Sequence, residues 1–422
     1  MDYQRRILDD ILDTAIRALP AIAIEGAKGV GKTATATGRA AEVFTLDRES
    51  VREIFDAAPE LVGEGKPPTF IDEWQMVPAV WNEVRHAVDD GAPPGRFLLA
   101  GSAMPRRGAR IHSGAGRIIR LVMRPMALPE RGIEQPTVSL SALLSGETAE
   151  VRGRTEVRMA DYAREILASG FPAIRRADQD VREFLLESYV ARIVDHDIPE
   201  AGGAVRRPQS LLNWLRAYGA ASATTATYAS ILAAATPGEE VKPAKETAMA
   251  YRDLLQRIWV LDPVPAWLPG GSPLKRLAQS PKHHLVDPAV AAYLAGASLG
   301  SLIRGEGPGG AVEGSFLGAL FESLAVQTVR VLADALKATV FHLRTQGGDH
   351  EVDLIVQRRD ARVLAIEVKA SSQVRPADVV HLNWLEQQVP GVVIGKVVLN
   401  TGEMAYRRKD GVVVIPLALV GL

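Results

Sequence analysis

Gly26-Ala27-Lys28-Gly29-Val30-Gly31-Lys32-Thr33, followed by Ala34, is the stretch on which the reading of this chain turns. It matches GxxxxGK[ST] in full. Pro20 and the apolar run Ala21 to Ile24 precede it, the pattern of a buried strand, and a helix is predicted after it. Glycines let the backbone wrap a phosphate without Cβ clashes, so several N–H groups can point at one anion. The following helix turns its positive end toward the same anion. Lys32 would reach the β and γ phosphates, and the Thr33 hydroxyl would ligate Mg²⁺. The expected ligand is therefore ATP with Mg²⁺, held by residues 26–34.

Such a site needs an acidic pair at the end of another strand, and Pro68-Thr-Phe-Ile-Asp72-Glu73 supplies it, 40 residues beyond Lys32. Asp72 would hold the cation, and Glu73 would orient and deprotonate the attacking water. Phe97-Leu-Leu-Ala-Gly-Ser102 reads as another buried strand ending in a small polar residue. Ser102 would contact the water or the γ phosphate, or would only make a turn. Between Arg106 and Arg131 stand seven arginines against one acid, Glu130. Arg117 is the candidate for an arginine finger, acting in cis or in trans.

Outward from these motifs, residues 2–19 predict an amphipathic helix with Ile7, Ile11, Ala15 and Leu19 on one face. Short apolar runs at 43–46, 69–71 and 97–100 alternate with helical stretches, which indicates a parallel sheet up to about residue 135. Residues 155–235 read as mostly helical. Helices near 211–218, 227–235 and 244–258, then Trp259-Val-Leu as a strand, suggest a winged helix spanning 136–270. Breaks rich in Pro and Gly fall at 263–271 and 305–310. A long helix over 314–336 opens a last α/β domain, 271–422, with strands at 340–343, 352–356, 363–368 and 396–400.

That last domain carries a second candidate site. In Glu351-Val-Asp353-Leu-Ile-Val and Ala365-Ile-Glu367-Val-Lys369, strand alternation puts Asp353 on one face and Glu367 beside Lys369. Fourteen residues separate Asp353 from Glu367, enough for a hairpin. Two carboxylates and a lysine form the set of a D-x(n)-E-x-K nuclease: the acids hold Mg²⁺ against the scissile phosphate and the lysine helps polarise water. Glu322, on the preceding helix, would be a further ligand. An ordinary Glu367–Lys369 salt bridge is the competing reading. His283-His284, beside Pro281 and Lys282, reads as a strand start or a loop.

Composition narrows the classes. The chain has no cysteine, which excludes disulfides, thiolate zinc sites and cysteine nucleophiles and fits the cytoplasm. A net charge of −1 gives no overall bias toward nucleic acid. No uninterrupted apolar run is long enough to span a bilayer, so no membrane partner is expected. The N-terminus lacks an apolar signal core, so export is not expected. The helix over 242–257 carries Lys242, Lys245, Arg252 and Arg257 against Glu246 and Asp253. It would serve as a DNA-reading element or as a protein-interaction surface.

Taken together, the chain resembles the prokaryotic AAA-type P-loop ATPases that carry a C-terminal DUF4143 domain. The landmarks are Gly26–Thr33, Ile71-Asp-Glu-Trp-Gln75 with Pro78, Leu98–Ser102, Gly116-Arg117 and Arg124-Pro-Met-Ala-Leu-Pro-Glu130. Toward the C-terminus they are Gly318-Ala-Leu-Phe-Glu322, Arg344-Thr, Glu351-Val-Asp353 and Ile366-Glu-Val-Lys369. The loop interior departs from the family, with Ala-Lys-Gly-Val where many members have proline and arginines. The resemblance implies an ATPase domain over 1–135, a winged-helix middle and a restriction-endonuclease-like PD-(D/E)xK fold at the C-terminus. Two roles stay open for that last domain: ATP-dependent cleavage of DNA or RNA, or ATP-switched binding of a protein partner or a second copy by an inactive fold.

Overall fold

The computed structural model describes residues 3–103, 114–146, 150–203, 207–236, 245–268, 280–307 and 316–422. Five apolar runs near the N-terminus pair as one all-parallel sheet: β1 (Ala21–Glu25), β2 (Glu42–Thr45), β3 (Thr69–Asp72), β4 (Phe97–Gly101) and β5 (Ile118–Val122). Their order is β2-β3-β4-β1-β5. β4 therefore lies between the P-loop strand and the strand ending in Asp72. Strand alternation gives the sheet two apolar faces. Ala21 and Ala23 pack with Ile71, Leu99, Trp74 and Trp81 on one side. Ile22 and Ile24 face Phe70 and Leu98 on the other.

The first helix is shorter than the expected 2–19, running Ile7–Ile16. Asp9 caps it by accepting the Arg6 N–H at 2.6 Å. Pro20 accounts for the C-terminal limit, because helices usually end before a proline. β5 was not anticipated. Its Ile-Ile-Arg-Leu-Val is broken by Arg120, whose guanidinium lies 5.2 Å from the Trp81 ring centroid and 3.3 Å from Glu25. An edge strand tolerates such a charge.

A two-residue strand, β6 (Val138–Ser139), leads into the middle segment. There the helices Met159–Leu167, Gln179–Arg192, Pro208–Ala220, Tyr228–Ala235 and Lys245–Arg257 follow one another. The second widens into a π turn at Ile193–Asp197. After the last helix, antiparallel bridges Leu261↔Leu285 and Val264↔Lys282 align two extended pieces. His283 and His284 lie here, both buried. A parallel bridge, Ala266↔His342, carries this hairpin into the next sheet. Lys242 and the stretch 269–279 lie outside the described residues.

The C-terminal part consists of the helix Phe316–Ala335 and six strands: β7 (Thr339–Arg344), β8 (Glu351–Gln357), β9 (Val363–Val368), β10 (Val393–Asn400), β11 (Tyr406–Arg407) and β12 (Val413–Pro416). They are ordered β11-β12-β10-β9-β8-β7. β7, β8 and β9 form an antiparallel meander; β9, β10 and β12 run parallel, with the helix Val380–Gln388 in the β9–β10 crossover. A last strand, β13 (Val420–Gly421), pairs with β6.

Phe316–Ala335 is long and apolar enough to cross a membrane by length and composition, yet most of it is buried inside the molecule. Leu320, Phe321, Leu324, Val329 and Leu332 are all fully buried. At about 1.5–3 kcal/mol for each large apolar side chain, this helix is a main stabilising element. The core around it is continuous. It joins one face of the ATPase sheet, the middle helices and one face of the C-terminal sheet. Asp287 adds a polar tie: it caps the helix Pro288–Leu294 through the Ala289 N–H at 2.8 Å and accepts the Gly170 N–H at 2.7 Å.

Candidate functional site

The loop after β1 needs its glycines. Gly26, Gly29 and Gly31 have φ of 152°, 82° and 106°, a region L side chains rarely enter. A Cβ on Gly26 would also fall 2.1 Å from the Met123 carbonyl oxygen. The helix Lys32–Thr37 follows directly. The Lys32 ammonium is buried and donates to the carbonyls of Gly26 and Ala27 at 2.8 and 2.9 Å. Burial lowers its pKa to about 8, against the pull of Glu73 and Asp72.

Thr33 and Asp72 meet as expected: the Thr33 hydroxyl donates to Asp72 Oδ2 at 2.8 Å. Asp72 Oδ1 is buried without a partner. Burial raises the Asp72 pKa to about 6, opposed by the Thr33 hydrogen bond. A hydroxyl and a carboxylate with a spare oxygen are the donors a hard divalent cation takes, so these residues fit Mg²⁺.

Glu73 turns the chain after β3 with φ 53° and ψ 44°, a left-handed conformation uncommon for a residue other than glycine. Strain of this kind clusters at functional sites. Its Oε2 accepts the Ser102 hydroxyl at 2.7 Å and a short hydrogen bond from the Gln75 amide. Gly101 permits this approach, since a Cβ there would lie 2.7 Å from Trp74 Nε1. Because β4 separates β1 from β3, Ser102 stands between loop and acid. Its hydrogen bond to Glu73 was not visible in the sequence.

Arg117 is not brought to this site. It precedes β5, whose pairing Ala21↔Ile118 through Glu25↔Val122 puts it at the opposite end of the sheet from the loop. Arg117 is level with Pro20 and the loop begins at Gly26, six rises of about 3.3 Å, so the separation is roughly 20 Å. Arg117 is exposed there and pairs with Asp89 at 2.8 Å. Arg106, Arg107 and Arg110 lie outside the described residues.

Two further contacts reach the loop. Arg6 donates to the Val30 carbonyl at 2.9 Å. Lys28, inside the motif, donates to Asp197 Oδ1 at 2.8 Å, the last residue of the π turn, and to Glu200 Oε2 at 2.7 Å, just past it. Burial alone would lower the Lys28 pKa, but the two acids outweigh it and raise it.

The second predicted site is also assembled. The β8–β9 register, with Leu354 opposite Ile366, places Asp353 and Glu367 on the next rung. Lys369 bonds to Glu367 at 2.7 Å, and Asp353 Oδ2 accepts the Val368 N–H at 2.8 Å. Glu322 joins them from the core helix. Reading the sequence missed what lies among them. The ammonium of Lys282, only 1% exposed, sits 2.9 Å from Glu322 Oε1, 2.8 Å from Glu351 Oε1 and 2.9 Å from Asp353 Oδ1. Burial would lower its pKa, yet Asp353, Glu322 and Glu351 together hold it well above the ordinary lysine value. Glu322 and Glu367 are pushed up, first by burial and then by the Asp353 charge.

Comparison with known proteins follows the same division. The profile described as AAA domain (AAA_14) matches residues 19–131, and the domain of unknown function DUF4143 matches 317–420. The chain joins an AAA-type ATPase domain to a DUF4143 domain. Between them, residues 159–300 match a further domain of unknown function, DUF8612. Uncharacterized proteins of Mycobacterium bovis and Mycobacterium tuberculosis are each 25% identical over 425 residues, covering 99% of this chain and 84% of theirs. Among solved structures, a Walker-type ATPase of Pyrococcus abyssi is 14% identical, with a TM-score of 0.42 over 69% of this chain and 96% of that one. The ORC2 protein of Aeropyrum pernix is also 14% identical, with a TM-score of 0.28 over 61% and 84%.

Proposed function

We propose that this ATP-binding AAA-type protein is a Mg²⁺-dependent ATPase whose nucleotide cycle repositions the middle and C-terminal segments. The observation that carries hydrolysis is the Glu73 carboxylate, held by Ser102 and Gln75 beside the joined Thr33 and Asp72. Bound Mg²⁺ would neutralise charge on the triphosphate. Lys32 would exchange its bonds to Gly26 and Ala27 for phosphate oxygens. Thr33 and Asp72 would hold the cation, and Glu73 would orient the water and take its proton. Purified protein is expected to release phosphate from ATP, and Lys32→Ala to abolish both tight nucleotide binding and release. Turnover unaffected by Lys32→Ala would refute the assignment.

The contact of Lys28 with Asp197 and Glu200 supports the coupling. A triphosphate in the loop offers competing anions to the same ammonium, so filling the site loosens its hold on the π turn. Hydrogen exchange at 193–200 should rise when a non-hydrolysable ATP analogue binds. In Lys28→Ala that segment should exchange at the faster rate with or without nucleotide. An unchanged nucleotide response in Lys28→Ala would remove this route.

For the C-terminal domain, binding is better supported than cutting, because a protein cation already sits among the carboxylates. The middle segment points the same way. On Lys245–Arg257, Arg252 pairs with Asp253 at 2.6 Å and lies over the Tyr228 ring, which favours a protein contact over a DNA-reading helix.

A further inference from the structure

The acidic residues of β8, β9 and the core helix have the composition of a metal site, and their surroundings do not suit one. All three N–H donors of the Lys282 ammonium have a carboxylate oxygen within 2.9 Å, one each from Glu322, Glu351 and Asp353. Glu367 Oε2 is buried without a partner. One spare oxygen falls well short of the roughly six oxygen ligands a hard divalent cation takes, and other oxygens of the cluster are engaged. Asp353 Oδ2 takes the Val368 N–H at 2.8 Å, Glu351 Oε2 takes Arg344 at 3.0 Å, and Glu367 Oε1 takes Lys369 at 2.7 Å. A divalent cation bound to the Asp353 and Glu322 oxygens would lie about 2.0–2.6 Å from them. It would thus press against an ammonium that is itself almost wholly buried, where like charges repel more strongly than in water.

Nor is Lys282 placed to withdraw. Its backbone N–H donates to the Val264 carbonyl and its carbonyl accepts the Val264 N–H, both at 2.9 Å. The next two residues, His283 and His284, are buried, with His284 on Ser323 of the core helix at 2.9 Å. With the backbone fixed, moving the ammonium out would cost it three carboxylate partners at once.

We infer that Lys282 permanently takes the place of a divalent cation in the C-terminal domain, so that the nuclease-like residues Asp353, Glu367 and Lys369 bind no metal and cut no phosphodiester. The cluster instead fastens two parts of the chain. Lys282 lies within the span matched by DUF8612, and Glu322, Glu351 and Asp353 within that matched by DUF4143. The ion pairs add a polar tie to the apolar core the two parts share. This inference is independent of the ATPase reading, which concerns a different set of residues.

The test uses the full chain without nucleotide, in an Asp72→Asn background so that the P-loop carboxylate adds no metal binding. Mn²⁺ binding is followed by calorimetry and by the shift of the thermal midpoint. With Lys282 present, Mn²⁺ is expected neither to bind at the cluster nor to move the midpoint, and neither DNA nor RNA is cleaved in Mn²⁺. With Lys282→Met added, the freed carboxylates gain a Mn²⁺ site. The midpoint then rises by about 3 °C or more once Mn²⁺ exceeds its dissociation constant about 100-fold. A Lys282→Met protein that folds only when Mn²⁺ is supplied supports the inference equally. Mn²⁺ binding or Mn²⁺-dependent cleavage by the protein that retains Lys282, lost on Asp353→Asn, overturns it. So does a folded Lys282→Met protein indifferent to Mn²⁺. The measurements that retain Lys282 decide the matter even if the variant does not fold.

Discussion

Glu73→Gln is expected to leave ATP bound and to slow its hydrolysis by about two to four orders of magnitude, the usual contribution of a positioned general base. The amide keeps the size and planarity of the carboxylate, so the left-handed turn after β3 and the contact with Ser102 need not be lost. What disappears is the group that accepts a proton from water, together with the charge that Ser102 and Gln75 orient. Thr33 and Asp72 are untouched, so fluorescent-nucleotide affinity should change by less than about threefold while the phosphate-release rate collapses. Ser102→Ala should produce a smaller loss, since it removes one of the two side-chain donors that position the same carboxylate. If Glu73→Gln turned over ATP within a few-fold of the unaltered protein, the water would be activated elsewhere. The chain would then be a slow NTP-binding switch.

Arg131→Ala is expected to cost about 3–5 kcal/mol of folding stability, the range found when one partner of a buried charged network is removed. Its side chain is fully buried. Its guanidinium donates to the Met126 carbonyl at 2.9 Å, the Glu165 carbonyl at 2.7 Å and Gln327 Oε1 at 2.8 Å. Those acceptors belong to the end of the ATPase domain, the middle helices and the core helix respectively. Truncation would take this donor from all three, two of them buried. Arg131→Lys should recover only part of the loss, because an ammonium cannot reproduce the planar fork. Denaturant unfolding followed at equilibrium measures both changes. A loss below about 1 kcal/mol for Arg131→Ala would show that this arginine is not a main tie between the three segments.

This arginine illustrates how far the sequence could be read. The run from Arg106 to Arg131 was legible as a concentration of positive charge, and its use was not. Arg131 ties three segments together. Arg124 pairs with Asp262 at 2.9 Å and also with Asp334, and Arg117 stays on the surface with Asp89. Nothing in the local pattern separates these fates, because a guanidinium looks the same in sequence whether it is solvated or buried against partners 138 or 210 residues away. The expected strands at 21–24, 69–71, 97–100, 340–343, 352–356 and 363–368 all appear, with ends shifted by no more than one residue. There, pleat alternation and flanking turn residues act within the strand itself.

The sequence by itself determined the P-loop, the acidic strand end after it and the facing of Asp353 and Glu367, since each rests on backbone demands or side-chain alternation within a few consecutive residues. Only the tertiary structure decided that Ser102 holds Glu73, that Lys28 reaches the π turn, and that Lys282 fills the carboxylate cluster. Each of those depends on which distant segments share a core, and in low dielectric that choice sets whether an acid meets a metal, water or a lysine.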